Sequence, residues 1–379
     1  MYLINKFLAK LRRSISPPFP TLCEDLAVWA SRRENWSIKL IHDAFTIKSE
    51  PPANSLSNEV VKRRFLNNTN LGFSSQFLIT LPEAIISGEI GFVILEEGAY
   101  VIEGNWRTSN VIFHPSVLIP TRNKRKKLEG NYYSIRSYYS SSYHHWFWDD
   151  LPRLFTALPY LPDDTIFIVG YHFLEFQKQS LKTLGILGNR IDVQPANSDY
   201  LCEKLYFATP LGHSEYAATA PDVARQLQSI FNPSIPSSPS RKIYISRSLA
   251  KHRRLINEAE LLPILDKFGF EVIHAEELSS DAQVKIFNDA KVILSPHGAG
   301  LTNMLFSPQG ATILELFEPT AARTHYWMMS HALGHNYDCL IGETTLTDNL
   351  KLDPDFRIPK DRFSTFIYKH LREIYNVKI

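Results

Sequence analysis

A glycine-containing loop, Ser295-Pro-His-Gly-Ala-Gly-Leu-Thr-Asn303, has residue types suited to binding an anion. It follows the apolar run Val292–Ser295 and precedes a predicted helix. Glycine lets the backbone approach an anion closely, and the first N–H groups of a helix carry partial positive charge. His297, Thr302 and Asn303 add polar side chains that a plain strand-to-helix turn would not need. The loop therefore predicts a phosphate site, with a tight turn that binds nothing as the alternative.

The same loop departs from three well-known motifs. Asn303 stands where a dinucleotide-binding fingerprint would have its third glycine, and no Gly-Lys-Ser/Thr follows, as a P-loop requires. The chain also has no Gly-x-Ser-x-Gly nucleophile elbow, which excludes a lipase-like reading of the loop. A nicotinamide- or flavin-dependent oxidoreductase is therefore disfavoured.

Arginine residues form a second candidate phosphate site. Ser246-Arg247-Ser248 ends a predicted strand and is followed by Arg253 and Arg254. Open α/β sheets bind ligands at the carboxyl ends of their strands, and guanidinium groups contact phosphate oxygens in a bidentate manner. The position of Arg247 predicts a phosphate contact, whereas Arg253 and Arg254 are either further contacts or ordinary surface residues. A diphosphate held by arginines and a helix N-terminus would need no metal ion.

A histidine and an aspartate have spacing suited to general-base catalysis. In the segment Tyr143–Arg153, His145 and Asp149 would share one face of a helix at positions i and i+4. Such a carboxylate holds the imidazole in one tautomer and raises its basicity. The alternative is an amphipathic helix with a solvated polar face. Trp146 and Trp148 fit either a sugar-stacking wall or the hydrophobic core.

Metal-ligand patterns are weak in this sequence. His331 and His335 have helical i, i+4 spacing, but Gly334 weakens the helix and no zincin glutamate accompanies them. Asp353-Pro-Asp355 matches the Asp-x-Asp string of metal-dependent sugar transferases, but it lies in a polar tail where chance explains it better. We therefore predict no metal ion and no bound cofactor.

Alternating predicted strands and helices must position these residues. A Pro/Ser-rich linker, Asn232–Ser240, separates two α/β halves, and short loops between strand and helix indicate a parallel sheet with helices on both faces. This predicts a hinged, two-lobed protein with its ligand in the cleft. Short apolar runs over Phe77–Pro120 predict a small β meander, and the basic cluster 122–127 a solvated loop. The predicted strands of the two halves are Thr165–Val169, Arg190–Val193, Lys204–Phe207, Lys242–Ser246, Phe270–Ile273, Val292–Ser295 and Thr312–Glu315.

The composition is that of a globular protein. The 379 residues are 44% hydrophobic and 21% charged, and a net charge of +2 argues against a nucleic-acid partner. Three scattered cysteines without a Cys-x-x-Cys motif indicate a reducing compartment, hence a cytoplasmic protein. The basic N-terminus is either a polar leader or a short amphipathic helix that contacts the inner face of a membrane.

The ordered combination of these motifs resembles glycosyltransferase family 61, including its bacterial capsular polysaccharide biosynthesis members. The resemblance extends over about residues 75 to 340. The upstream part consists of His145-Trp146, Asp149 and Leu151-Pro-Arg153. The downstream part consists of Tyr244–Arg247, Arg253–Glu258, Phe270, Leu278, Phe287, the loop His297–Asn303 and Glu315.

The resemblance implies a GT-B architecture, in which two Rossmann-like lobes face a cleft. We expect residues 1–75 to be a leader of unknown role and residues 76–235 to be the acceptor-side lobe with the β meander. Residues 236–345 would be the nucleotide-sugar-binding lobe, and residues 346–379 a tail that packs back on the first lobe. By position, the residues implied to bind the nucleotide-sugar are Arg247, Arg253, Arg254, His297, Gly298, Ala299, Gly300, Leu301, Thr302, Asn303 and, near the nucleoside, Glu315.

The implied activity is inverting, metal-independent transfer of a sugar from a nucleotide-sugar, a UDP-sugar in particular, to a glycan or lipid-linked glycan. His145, oriented by Asp149, or Asp149 itself would deprotonate the acceptor hydroxyl. Two alternatives stay open, a catalytically silent carbohydrate- or nucleotide-binding protein on the same scaffold and, less favoured, a Rossmann oxidoreductase.

Overall fold

The computed structural model describes residues 21–88, 90–103, 124–212, 218–232, 238–320, 322–344 and 353–375. The chain forms two compact units. The first unit consists of Met1–Ala44 and Ser74–Ser214, and the second of Phe45–Phe73 and Glu215–Ile379. This division differs from the predicted one, because an early segment joins the second unit and because that unit begins before the Pro/Ser-rich linker. Of the predicted leader, residues 1–20 lie outside the described residues, whereas residues 21–75 contain strands and helices; residues 233–237 of the linker also lie outside.

The described residues form eighteen strands and ten α-helical segments. The strands are β1 (Leu22–Cys23), β2 (Ser37–His42), β3 (Phe45–Lys48), β4 (Asn70–Phe73), β5 (Gln76–Ile86), β6 (Val93–Ile94), β7 (Tyr100–Val101), β8 (Lys124–Ser134), β9 (Ile166–Gly170), β10 (Ile191–Gln194), β11 (Ser198–Ala208), β12 (Arg241–Ile245), β13 (Phe270–Ile273), β14 (Ala290–Pro296), β15 (Thr312–Phe317), β16 (Asn336–Ile341), β17 (Glu343–Thr344) and β18 (Phe356–Arg357). The helices are α1 (Leu26–Ala30), α2 (Glu59–Leu66), α3 (Tyr143–His145), α4 (Leu151–Ala157), α5 (Glu175–Thr183), α6 (Pro221–Phe231), α7 (Glu258–Lys267), α8 (Ser280–Phe287), α9 (His325–Leu333) and α10 (Lys360–Tyr375). A π-helical turn, Trp146–Asp150, joins α3 to α4, and a 3-10 helix, Ala299–Phe306, follows β14.

A mixed nine-stranded sheet forms the first unit. Its strands run in the order β1-β7-β6-β5-β11-β8-β9-β10, and β2 also pairs with β5. The pairing is antiparallel around β5 and parallel from β11 to β10. The predicted meander is thus part of a larger sheet, although its last run, Val111–Phe113, lies outside the described residues. Lys124–Lys127 are exposed at the start of β8, so this part of the predicted basic loop is a strand instead.

A five-stranded, fully parallel sheet forms the centre of the second unit. Its order is β13-β12-β14-β15-β16, which confirms the predicted Rossmann-like alternation of strands and helices. The inner strands are continuous apolar runs, such as Val292-Ile-Leu294, because both faces of the sheet are covered. The connection after β12 leads to β13 on one side of it, and the connection after β13 leads to β14 on the other side of β12. The point between β12 and β14 is therefore the topological switch point, where sheets of this order bind ligands.

The C-terminal helix belongs to the second unit. Phe363, Ile367 and Leu371 recur every four residues of α10 and lie in one apolar cluster with Leu294 and Leu314 of the sheet. This corrects the prediction that the tail packs on the first lobe, because the apolar stripe of α10 is buried in the core of the second unit. Among the described residues, no helix combines the length and the apolar character that crossing a bilayer requires.

Candidate functional site

The two predicted phosphate-binding loops meet at the switch point of the parallel sheet. β12 and β14 are neighbours in register, with Ile243 paired to Ile293 and Tyr244 to Leu294. Arg247 follows the carboxyl end of β12, and His297 follows that of β14. The two loops are therefore at the same edge of the sheet, as the sequence predicted from strand ends alone.

The guanidinium of Arg247 lies directly against the backbone of Gly298. A Cβ atom added to Gly298 would stand 2.7 Å from Cζ and 3.2 Å from Cδ of Arg247. The backbone of Gly298 is extended, so the requirement for glycine here is the space that Arg247 occupies. Arg247 also donates from Nη2 to the carbonyl of His252 at 3.0 Å, whereas its buried Nε has no hydrogen-bond partner. This places a fixed cation at the start of the glycine loop.

The strand that precedes Arg247 is held by a partly buried carboxylate. Glu258, at the start of α7, accepts a hydrogen bond from Tyr244 at 2.6 Å and one from Ser246 at 3.0 Å. Both donors belong to the residues just before Arg247. The resemblance motif Tyr244–Arg247 with Glu258 is thus one hydrogen-bonded unit that fixes where the Arg247 loop begins.

His297 and Glu315 form a buried pair behind the loop. His297 Nδ1 lies 2.5 Å from Glu315 Oε1, and Tyr337 donates to Glu315 Oε2 at 2.6 Å. Burial, together with the positive charges of Arg253, Arg323 and Arg247, lowers the pKa of His297 well below its ordinary value. Burial likewise raises the pKa of Glu315 well above its ordinary value. Both shifts favour uncharged side chains, so the pair orients the His297 ring without adding a net charge.

The polar end of the loop is bound internally. Asn303 donates to Gln283 of α8 at 2.8 Å and to the carbonyl of Gly300 at 3.1 Å. Thr302 is fully buried and hydrogen-bonds to Tyr326 of α9. Leu301 is fully buried in the core as well. These side chains hold the loop in shape. The part of the loop suited to contacting an anion is therefore the backbone of residues 298–300.

Two further arginines, Arg253 and Arg323, lie close enough to His297 for their positive charges to lower its pKa. Arg253 has a positive φ of 58°, a strained conformation for a residue with a side chain, and its buried Nε has no hydrogen-bond partner. Arg323 follows β15 and therefore shares the same edge of the sheet. The sequence analysis missed Arg323, although the rule that ligands bind at the carboxyl ends of strands would have found it.

Asp353 and Asp355 contact these arginines. Arg323 Nη2 lies 2.9 Å from Asp353 Oδ1, and Arg253 Nε lies 4.0 Å from the same atom. Arg254 donates from Nε and Nη2 to Asp355 Oδ2 at 3.0 and 2.7 Å, and its backbone N–H donates to Asp355 Oδ1. Two guanidinium donors of Arg254 are therefore committed to Asp355. The Asp-x-Asp string serves arginine contacts.

In the first unit, His145 and Asp149 form the predicted pair. His145 Nδ1 lies 2.6 Å from Asp149 Oδ2, and the ring of Tyr139 stacks on the imidazole at 4.9 Å. Burial alone would lower the pKa of His145, but the hydrogen bond to Asp149 and the charges of Asp149 and Asp150 outweigh it and raise this pKa. A hydrogen bond donated by Nδ1–H to Asp149 selects the tautomer of the neutral imidazole whose basic nitrogen is Nε2.

Asp149 lies in a π-helical turn, a feature frequent at functional sites, and His145 directly precedes this turn. The next residue, Asp150, is buried, and burial raises its pKa to about 7 despite Arg153 nearby. Trp146 and Trp148 are each 1% exposed, and Trp146 donates to Ser180. The tryptophans therefore belong to the core.

His335, two residues after the end of α9, serves packing. His335 is buried, and its Nε2 lies 3.0 Å from the carbonyl oxygen of Met304. Within the ranges that the structure describes, no three His, Cys, Asp or Glu side chains cluster as metal ligands would.

Substituting Gly298 tests the placement of Arg247. In Gly298→Ala we expect the new methyl group to displace the flexible end of Arg247, with little loss of stability because the extended backbone accepts alanine. Binding of inorganic pyrophosphate, measured by calorimetry, should weaken at least tenfold, since a charge-assisted hydrogen bond contributes about 1.5–3 kcal/mol. Gly72→Ala is the matched control, because a Cβ there meets no atom within 4 Å. Equal pyrophosphate affinity in the two variants would contradict the assignment.

The chain is similar to known glycosyltransferases. Residues 143–314 match the family model Glycosyltransferase 61. An alpha-1,3-arabinosyltransferase of Oryza sativa subsp. japonica is 28% identical over 159 residues, which cover 38% of this chain and 27% of that protein. The EGF domain-specific O-linked N-acetylglucosamine transferase of Drosophila melanogaster is 34% identical over 121 residues, 30% of this chain and 23% of that protein. Protein O-linked-mannose beta-1,4-N-acetylglucosaminyltransferase 2 of Xenopus laevis is 26% identical over 211 residues, 48% of this chain and 36% of that protein.

These matches confirm the resemblance to glycosyltransferase family 61 over residues 143–314, a segment that contains both the His145–Asp149 pair and the His297 loop. The family domain and the named relatives support a glycosyltransferase. The chain spans only about a quarter to a third of the length of these relatives. They are plant and animal proteins, so a bacterial capsular role stays a prediction.

Proposed function

We propose that this protein is an inverting, metal-independent glycosyltransferase that uses a UDP-sugar. In this proposal the second unit binds the donor and the first unit binds the acceptor, as the two lobes of a GT-B enzyme. The acceptor is a hydroxyl of a glycan or lipid-linked glycan, in surface or capsular polysaccharide biosynthesis. The observation that carries the proposal is the Arg247 guanidinium fixed against Gly298 at the switch point of a parallel sheet.

The proposed reaction is a single displacement at the anomeric carbon. The acceptor hydroxyl transfers its proton to His145 Nε2, and its oxygen forms the new bond to the anomeric carbon from the face opposite the leaving group. The bond from this carbon to the diphosphate oxygen breaks, and its electron pair leaves on that oxygen. Inversion follows because attack and departure occur on opposite faces.

The arginines supply the electrostatic part of this proposal. The departing diphosphate gains negative charge, and Arg247 and Arg253 would stabilise that charge at the backbone of the glycine loop. The buried His297–Glu315 pair is expected to hold the loop in place. The prediction that Glu315 lies near the nucleoside stays a prediction, and the hydrogen bonds of Glu315 to His297 and Tyr337 fit a positioning role better.

A thermal-shift screen with nucleoside diphosphates and nucleotide-sugars tests the function. UDP-arabinose and UDP-N-acetylglucosamine belong in the screen, because the names of the relatives specify arabinosyl and N-acetylglucosamine transfer. We expect UDP and one UDP-sugar each to raise the melting temperature, since a ligand that binds the folded state stabilises it. For each ligand the shift should be the same whether or not a chelator is present. A shift that disappears with the chelator would overturn metal independence. A shift without UDP release, when glycan acceptors are offered, would favour the catalytically silent binding protein.

A further inference from the structure

Asp353 presents a carboxylate to the arginines of the proposed donor site. It forms an ion pair with Arg323 at 2.9 Å and lies 4.0 Å from Arg253. Burial lowers the pKa of both Arg247 and Arg253, and the charge of Asp353 opposes this shift in each of them. The carboxylate thus acts electrostatically on the guanidiniums of three separate positions, Arg247, Arg253 and Arg323.

Asp353 is held near these arginines by the segment that contains it. Two residues further on, Asp355 is buried and binds both the backbone and the guanidinium of Arg254. Phe356 of β18 is also buried and its N–H donates to the carbonyl of Arg254. In contrast, the Asp353 side chain is 25% exposed. The segment is therefore anchored at Asp355, while Asp353 contacts the arginines from a partly exposed position.

We propose that Asp353 competes with phosphate oxygens for Arg253 and Arg323 and thereby favours release of the nucleoside diphosphate product over release of the donor. This inference rests on the proposed function of the site. A nucleotide-sugar carries two negative charges on its diphosphate. The nucleoside diphosphate left after transfer carries a third above pH of about 6, where a terminal phosphate loses its second proton. A fixed carboxylate repels a ligand in proportion to the charge of that ligand, so it weakens binding of the product more than binding of the donor.

The test compares Asp353→Asn with the wild-type protein in calorimetric titrations of UDP, UDP-N-acetylglucosamine and inorganic pyrophosphate. Removing the carboxylate charge should tighten binding of UDP-N-acetylglucosamine about tenfold and binding of UDP about thirtyfold. The factor is larger for UDP because it carries three diphosphate charges instead of two and each charge contributes about the same factor. Product inhibition of turnover by UDP should strengthen by a similar factor. Asp266→Asn, an exposed carboxylate of α7, is the control for net charge and should leave all three affinities unchanged.

The outcomes separate this inference from the proposed function. Equal tightening of UDP and UDP-N-acetylglucosamine would overturn the preference for releasing the product. Weaker binding of both would overturn the competitive role of Asp353 and assign it to positioning the arginines. If Asp353→Asn unfolds at a lower temperature, Asp353→Ser and a salt titration of the wild-type protein measure the same discrimination. Tight pyrophosphate binding without any UDP binding would leave an anion site but refute the transferase. If a folded wild-type protein binds none of the three, both proposals fail.

Discussion

Replacing His145 by alanine is expected to lower sugar transfer by about 10²–10⁴-fold, the usual contribution of a general base, while UDP binding stays intact. The hydrogen bond between Nδ1 and Asp149 orients the imidazole and selects the tautomer whose basic nitrogen is Nε2, the atom proposed to take the proton of the acceptor hydroxyl. The measurement is the rate of UDP release with an acceptor, together with calorimetric binding of UDP. His172→Ala, which removes an exposed histidine of the same unit, should keep full activity.

The pH dependence of transfer identifies which group is the base. Because the hydrogen bond and charge of Asp149 raise the pKa of His145 overall, the neutral imidazole forms only as the pH rises through that raised pKa. Activity should therefore increase with pH across this range. In Asp149→Asn the pKa of His145 should fall, which moves the rising limb to lower pH and lowers the maximal rate. If His145→Ala transfers sugar at the wild-type rate, His145 is not the general base. If the rising limb of the pH profile stays at the same pH in Asp149→Asn, Asp149 does not set the pKa of His145.

Replacing Arg247 by alanine should have the second large effect, a loss of about 10²–10³-fold in kcat/KM, the cost typical of removing one donor that stabilises developing negative charge. The guanidinium is fixed beside Gly298 by the His252 carbonyl, so no reorientation is needed when charge develops. Arg247→Lys should recover only part of the loss, because an ammonium group cannot form the bidentate contact. The assay is steady-state kinetics with the UDP-sugar selected by the thermal-shift screen.

The control for Arg247 is Arg225→Ala, which removes an exposed arginine from α6 of the same unit. Both variants should melt at the temperature of the wild-type protein within a few degrees, since neither side chain lies in the hydrophobic core. Similar kinetic losses in the two variants would mean that the general positive charge of the unit matters, and not the position of Arg247.

Much of the second unit could be predicted because its signals are local. Val292-Ile-Leu294 is a short, continuous apolar run, which predicts a buried strand, and Arg247 and His297 follow strands that became neighbours in the sheet. His145 and Asp149 were paired for the same reason, since their spacing by itself places them on one helical face. Local spacing can also mislead: Asn257 and Glu260 have the spacing of a helix-capping box, but the side chain of Asn257 hydrogen-bonds to the backbone of Ile358 instead.

Contacts between distant segments could not be predicted from the sequence. Nothing local to Glu315 indicates that it meets His297, eighteen residues earlier, and Tyr337. The same holds for Asp353 and Arg323, whose ion pair depends on how the segment before β18 is anchored. The assignment of residues 45–73 to the second unit also depends on long-range packing, since α2 by itself is an ordinary amphipathic helix.

The early segment Phe45–Phe73 affects how the protein can be synthesised and divided. Phe65 of α2 packs against Trp327 at 4.9 Å, and Asn68 donates to Thr324, next to Arg323. The ribosome therefore synthesises this part of the second unit long before the strands of the five-stranded sheet. A fragment starting at Glu215 would lack this piece and expose the apolar surface around Trp327. Expression of the second unit alone thus calls for a circular permutation or co-expression of residues 45–73.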